Sequence, residues 1–144
     1  MLFRSEVAGQ LSRGELVRDD LVVSVVRHAL EAAAKTGGYV LEGFPRTLAQ
    51  AQHAATPPFD LVVNLAVPDD VARRRLAERA VAGRPDDAHP EVVEHRLRRF
   101  HAETEPILDF YRSQEVLRTV DATQAPEAVT AAILKAVTAS ETEQ

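Results

Sequence analysis

Residues 38–52 constrain the fold most, because they have the pattern of a short buried strand, a tight turn and the start of a helix. Tyr39, Val40 and Leu41 are consecutive apolar residues, as in a parallel strand that is covered on both faces. Glu42 ends the apolar run with a carboxylate. Ligands bind at the carboxyl edge of open α/β sheets, so we expect Glu42 to lie at a ligand-binding edge.

The turn after this predicted strand carries residues that suit a phosphate group. Gly43 permits a close backbone approach or an unusual φ angle, and Pro45 stops the strand. Arg46 offers a rigid fork of donors that fits phosphate geometry. Thr47 can cap the helix that begins directly after it. The sequence therefore predicts an anion-binding turn between a strand and a helix.

The whole chain alternates between helical and strand patterns. The predicted order is helix, helix, strand, helix, strand, helix, helix, strand, helix, which indicates an α/β fold with a parallel sheet. The predicted strands are residues 39–41, 59–67 and 116–120. The predicted helices are residues 2–12, 19–35, 69–81 and 125–137, one helix that begins near residue 47, and one that begins at residue 90 and is broken at Pro106.

Composition excludes several classes of protein. A chain of 144 residues, 45% apolar and 27% charged, is typical of one globular domain. A net charge of −5 argues against a broad nucleic-acid surface, and no apolar run reaches membrane-spanning length. The chain has no cysteine, and its five histidines lack metal-ligand spacing. We therefore expect a cytoplasmic protein with neither a nucleic-acid nor a membrane partner.

Several motifs together resemble those of the adenylate kinases. Residues 38–51 are similar to the central signature G-[YF]-[VIL]-L-D-G-F-P-R-T-x-x-Q-A, with Glu42 where the family has Asp. Residues 14–22 are similar to the monophosphate-binding pattern G-x-L-V-x-D-x-L-V. The segments V-P-D-D at 67–70 and G-R-P-D-D at 83–87, with the arginines that follow them, resemble the phosphate-gripping motifs of the family.

This resemblance implies a fold and a domain plan. The fold is a P-loop-kinase-like, three-layer α/β/α fold with a parallel sheet, flanked by helices and with the first strands missing. A single domain spans residues 1–144, with monophosphate-binding helices at 2–36, a core at 37–139 and a short lid loop at 80–90.

The resemblance also implies roles for individual residues. Without such motifs, an arginine on a helix surface would most often be solvated, and Glu42 could be a buried acid satisfied by Arg or by backbone donors. By resemblance, the AMP-binding residues are Val17, Gly43, Arg46 and Gln50, the ATP-binding residues are Arg75, Arg79 and Gln124, the catalytic residues are Arg84, Arg96 and Arg79, and Glu42 lies in the outer shell of Mg²⁺.

One family motif does not occur in these 144 residues. The loop G-x-x-x-x-G-K-[ST], which cradles the phosphates of ATP, is not found in them. The activity implied by the resemblance is reversible, Mg²⁺-dependent phosphoryl transfer from ATP to AMP, giving two ADP, and we expect this chain alone to be inactive. The alternatives are a non-catalytic adenine-nucleotide-binding module or pseudo-enzyme, a fragment with a mis-assigned start, and a subunit that a partner completes.

A further expectation concerns the sheet. In the adenylate kinases the first strand lies between the strands that correspond to residues 39–42 and 61–66. Without that strand, both neighbours would have unpaired edges, and open edges invite pairing with another chain. We therefore expect self-association through these strand edges.

Overall fold

The computed structural model describes residues 19–81 and 89–142 of the chain. These residues belong to two compact units, residues 1–58 and residues 59–144. The predicted helix at 2–12 and most of the predicted lid loop at 80–90 lie outside the described residues. The single-domain plan stays a prediction.

In the first unit, a long helix packs against a short one. Helix α1, Asp19–Ala33, begins with two acidic residues that oppose the positive end of the helix dipole, as the sequence predicts. It continues as a 3₁₀ turn, Ala34–Thr36, and Gly37 ends it with a left-handed φ of 114°. Helix α2, Leu48–Gln52, packs on α1 and buries Ala51.

The prediction of a buried strand at residues 39–41 is wrong. These residues form no strand, and Val40 is 100% exposed. A strand is stabilised only when its backbone groups pair with those of a neighbour. The adenylate kinase resemblance assigns that neighbour to the strand before the phosphate loop, and these 144 residues contain no phosphate-loop motif. The apolar side chains alone are therefore not enough to make this segment a strand.

The second unit contains a parallel sheet flanked by helices. Strand β1, Val62–Ala66, pairs in parallel with β2, Leu117–Asp121. In this register Val62 lies beside Leu117, and Ala66 lies beside Asp121. The helices of this unit are α3, Asp69–Val81, α4, Pro90–Arg99, α5, Glu105–Ser113, and α6, Pro126–Thr142. Helices α5 and α6 pack on β2, while α3 packs on α4. The predicted parallel α/β fold is thus confirmed.

A π-helical turn separates α4 from α5, where the sequence predicts a break. The turn covers Phe100–Thr104, and the Glu105 N–H donates to the Phe100 carbonyl, five residues back. Pro106 has no N–H, and its ring would collide with the carbonyl four residues earlier in a regular α-helix. The proline therefore interrupts the long helix without ending it.

The core of the second unit centres on Tyr111. Its ring makes edge contacts with Phe59 and Phe110, at centroid distances of 5.9 and 5.1 Å. Ile107, from the same helix, and Val120, from β2, are also buried. Burial raises the pKa of the Tyr111 hydroxyl to about 12, so the phenol stays neutral at physiological pH.

Helix α6 is longer than predicted but has the predicted face. The sequence predicts that Val129, Ala132, Ile133 and Ala136 face inward, because they recur at helical spacing. All four are half-buried, whereas Leu134 is 61% exposed. Among the helices of residues 19–81 and 89–142, none combines the length and the apolar character needed to span a membrane.

Candidate functional site

The turn that precedes α2 holds Arg46 against Gly43. The Arg46 Nε donates to the Gly43 carbonyl at 2.8 Å, and Gly43 has a φ of 81°. A Cβ atom at Gly43 would lie 3.1 Å from Nη2 of Arg46. The guanidinium therefore packs over a position at which glycine is favoured both by its φ and by the available space. Arg46 is an exposed residue.

Gln50 is a buried polar residue, only 8% exposed, and it is bonded on several sides. Its side-chain Oε1 accepts from the Arg46 N–H at 2.9 Å, and its Nε2 donates to Oδ1 of Asp19 at 2.9 Å. Its backbone N–H donates to the Thr47 hydroxyl at 3.1 Å, which confirms the predicted helix cap. The structure thus brings Gly43, Arg46 and Gln50 together. Asp19 is a member of this group that sequence reasoning missed.

Glu42, the residue predicted to lie near Mg²⁺, is at the protein surface. Glu42 is exposed, so the alternative of a buried strand-end acid does not hold for it. Across residues 19–81 and 89–142, no three His, Asp or Glu side chains cluster as a metal site. Val17 lies outside the described residues.

Three of the arginines predicted to act on the phosphates lie on two neighbouring helices of the second unit. Arg75 and Arg79 are exposed on α3, and Arg96 is exposed on α4. Arg84 lies outside the described residues. The convergence of these side chains on one nucleotide stays a prediction.

A different arginine forms an ion pair between these two helices. Arg73, on α3, donates to both carboxylate oxygens of Glu94, on α4, with distances of 2.5 Å from Nε and 3.1 Å from Nη2. This hydrogen bonding lowers the pKa of the Glu94 carboxyl. Sequence spacing gave no sign of the pair, because its members are 21 residues apart. It supports the two helices that carry Arg75, Arg79 and Arg96.

Gln124 lies just after the carboxyl end of β2, at the edge where ligands bind in parallel sheets. Its Nε2 lies 3.5 Å from Oδ2 of Asp121. The other oxygen of Asp121 accepts from the hydroxyl and the backbone N–H of Thr123, at 2.6 and 2.9 Å. The bond from the hydroxyl is the main cause of the lowered pKa of Asp121. Asp121 is thus an ionised group at this edge that sequence reasoning missed.

Two carboxylates, those of Asp69 and Glu105, lie on either side of the His101 ring. The ring Nδ1 lies 2.9 Å from Oε2 of Glu105, and Nε2 lies 3.1 Å from both carboxylate oxygens of Asp69. Hydrogen bonding to Glu105, and then to Asp69, raises the pKa of His101. The spacing of four residues between His101 and Glu105 is visible in the sequence, whereas the contact with Asp69, 32 residues away, is not.

The parallel sheet flanked by helices is consistent with the P-loop-kinase-like class of α/β proteins. The family model described as adenylate kinase matches residues 4–116. The chain is 40% identical over 134 residues to an adenylate kinase of Cyanothece sp., covering 89% of this chain and 69% of that protein. It is 35% identical over 139 residues to an adenylate kinase of Leptospira biflexa, covering 92% of this chain and 74% of that protein.

A further relative is the adenylate kinase of Caulobacter vibrioides, which is 39% identical over 134 residues, with 88% of this chain and 70% of that protein covered. The chain belongs to the adenylate kinase family, whose chemistry is phosphoryl transfer between nucleotides.

Proposed function

We propose that this chain binds AMP at the turn of residues 43–50 and serves the adenylate kinase reaction, the reversible transfer of a phosphoryl group from ATP to AMP giving two ADP. The observation that carries this proposal is the pairing of Arg46 with Gln50. One turn holds a guanidinium suited to a phosphate and an amide suited to a base, and the Arg46 N–H joins them through a 2.9 Å bond to the Gln50 amide.

In this proposal each residue of the turn has a separate task. The Arg46 guanidinium donates to the AMP phosphate, because charge-assisted bonds of this kind are the strong ones. Gly43 has no side chain, and this leaves room for the Arg46 guanidinium to pack against the turn. The Gln50 amide bonds the edge of the adenine base, and Val17 contributes to the same site.

The second set of residues is proposed to act on the other nucleotide. Arg75, Arg79 and Gln124 would hold the phosphates of ATP, while Arg79, Arg84 and Arg96 would neutralise charge on the transferred group. Bound Mg²⁺ supplies further neutralisation of the phosphate oxygens. Glu42 fits an outer-shell role, because it is an exposed carboxylate and Mg²⁺ keeps several of its waters. A cytoplasmic location stays a prediction.

These 144 residues alone are proposed to be inactive in phosphoryl transfer, because no phosphate-loop motif occurs in them. Removing a single preorganised donor from other enzymes costs about 10²–10³ in rate. The loop supplies several such donors and a lysine, so its absence should cost more than that.

Calorimetric titration tests the AMP site. The chain is expected to bind AMP more tightly than UMP, and Arg46→Ala should weaken AMP binding by about 1.5–3 kcal/mol, the range for a hydrogen bond to a charged group. Arg27→Ala is the matched control, because it removes an exposed arginine of α1 that pairs with Glu31 at 3.7 Å. Equal binding of both nucleotides, unaffected by Arg46→Ala, would refute the site.

An ADP-formation assay tests the catalytic part. The chain alone should show no transfer above background, and fusion of a phosphate-loop segment from a short-lid adenylate kinase to its N-terminus should restore activity. Arg96→Ala should then reduce the restored activity, whereas Arg99→Ala should not, because Arg99 pairs with Glu103 at 2.9 Å on the same stretch of helix. AMP binding without restored activity would instead identify a non-catalytic adenine-nucleotide-binding module.

A further inference from the structure

The side-chain amide of Gln50 is held at both of its ends. Its Oε1 accepts from the Arg46 N–H at 2.9 Å, and its Nε2 donates to Oδ1 of Asp19 at 2.9 Å. Asp19 is half-buried at the start of α1, and Gln50 is buried on α2. A hydrogen bond between side chains 31 residues apart therefore joins the first turn of one helix to the middle of the next.

The two partners allow only one orientation of the amide. An ionised carboxylate accepts hydrogen bonds and donates none, and a backbone N–H donates and accepts none. Turning the amide by 180° would place Oε1 against the carboxylate of Asp19 and Nε2 against the Arg46 N–H. Both hydrogen bonds would then be replaced by contacts between like groups, at a partly buried position where such contacts are costly.

A fixed amide still has bonding capacity for a ligand. A glutamine amide has two N–H donors and two acceptor sites, and the two bonds described use one of each. One N–H and one acceptor site therefore remain, in a fixed order. A base that bonds them must present an acceptor and a donor in the complementary order.

We propose that Asp19 is a positioning residue, which fixes the orientation of the Gln50 amide and thereby makes the monophosphate site select adenine over 6-oxopurines. The inference rests on the proposed AMP site. Adenine has an amino donor at C6 beside an acceptor at N1, whereas a 6-oxopurine has an acceptor at C6 beside a donor at N1. An amide that could turn would bond either edge, and an amide that cannot turn bonds only one.

The test compares the binding of AMP and IMP to the 144-residue chain by calorimetry. The base of IMP reverses the donor and acceptor of this edge without adding the 2-amino group of guanine. In Asp19→Asn the new amide can either accept from Gln50 or donate to it, so one of the two restraints is lost. We expect the ratio of the dissociation constant for IMP to that for AMP to fall about tenfold, or ~1.4 kcal/mol.

The matched control is Asp20→Asn, which makes the same change of charge one residue away. Asp20 accepts from the Leu21 N–H at 3.0 Å, at the start of the same helix. A purely structural role of Asp19 in α1 would weaken both nucleotides alike and leave their ratio unchanged. Should Asp19→Asn show no cooperative melting, Asp19→Ser replaces it, because a serine is well tolerated at a helix start and lacks the carboxylate.

Three outcomes separate the claims. A ratio that falls in Asp19→Asn, or in Asp19→Ser, but not in Asp20→Asn supports the inference. A native chain that prefers AMP, with a ratio unchanged in the Asp19 variant, or one that binds AMP and IMP equally, overturns the inference and leaves the AMP site standing. A native chain that binds neither nucleotide overturns both.

Discussion

The substitution Gly43→Ala tests the packing of the Arg46 guanidinium over this turn. At a φ of 81° an added Cβ costs about 1–2 kcal/mol of backbone energy. The Cβ would also lie 3.1 Å from Nη2 and 3.7 Å from Nε of Arg46, so the guanidinium would have to move. Because Arg46 is exposed, we assign about 1 kcal/mol to the disturbed Nε bond to the Gly43 carbonyl.

Gly37→Ala is a control for the cost of placing a Cβ at a positive φ. Gly37 has a φ of 114°, and a Cβ there would meet nothing within 4 Å. Both substitutions also reduce the freedom of the unfolded chain by similar amounts, so that contribution cancels. Urea denaturation should show that Gly43→Ala lowers the free energy of unfolding by about 1 kcal/mol more than Gly37→Ala does.

Calorimetry with AMP then connects the packing to binding. Gly43→Ala should raise the dissociation constant for AMP about fivefold, equivalent to ~1 kcal/mol, and Gly37→Ala should leave it unchanged. If both variants weaken AMP binding equally, the effect is a general one of backbone strain. If Gly43→Ala binds AMP like the native chain, the position of the guanidinium does not matter for binding, and the reasoning fails.

Three further predictions concern the cap, a histidine and the sheet. Thr47→Ala should lower the free energy of unfolding by about 1 kcal/mol in urea denaturation, because the Gln50 N–H loses its 3.1 Å acceptor. The control is Thr56→Ala, which removes a different hydroxyl bonded to Gln50 and should leave the helix cap intact. Because the pKa of His101 is raised in the folded state, the protonated ring stabilises the fold at pH values below the unfolded pKa of 6.5. This contribution is lost as the pH rises through the folded pKa. The fall in Tm between about pH 6 and about pH 8 should therefore be smaller in His101→Gln. Sedimentation velocity should show self-association of the chain at high concentration that Leu65→Lys reduces, since Leu65 is 50% exposed on β1; a monomer at all concentrations would contradict this.

Local signals in the sequence predicted most helix boundaries correctly. Paired acids after Pro68 mark the start of α3, and Pro106 marks the interruption between α4 and α5. Thr47 caps α2 through a bond to a residue only three positions away. These features depend on neighbours along the chain, so the sequence contains all that is needed to find them.

The failed strand at residues 39–41 depends on a distant partner instead. Its apolar pattern is as strong as that of β1, but β1 has β2 beside it. The same limit applies to the site. Gly43, Arg46 and Gln50 are predictable from one short motif, whereas the bond from Gln50 to Asp19 spans 31 residues and the pair of Arg73 with Glu94 spans 21. Only the folded backbone brings such residues together.

The π-helical turn makes the length of its segment critical. The backbone hydrogen bond of this turn spans five residues, one more than in a regular α-helix. Every side chain after the turn is therefore rotated by about 100° around the helix axis, relative to its position in an uninterrupted helix. With this displacement α4 packs on α3 while α5 packs on β2 and buries Ile107 and Tyr111. Deleting one residue from Phe100–Thr104 would realign the two helices and turn those two side chains away from the sheet. A one-residue gap is therefore tolerated less well here than in an exposed loop, and alignments of related chains should place gaps elsewhere.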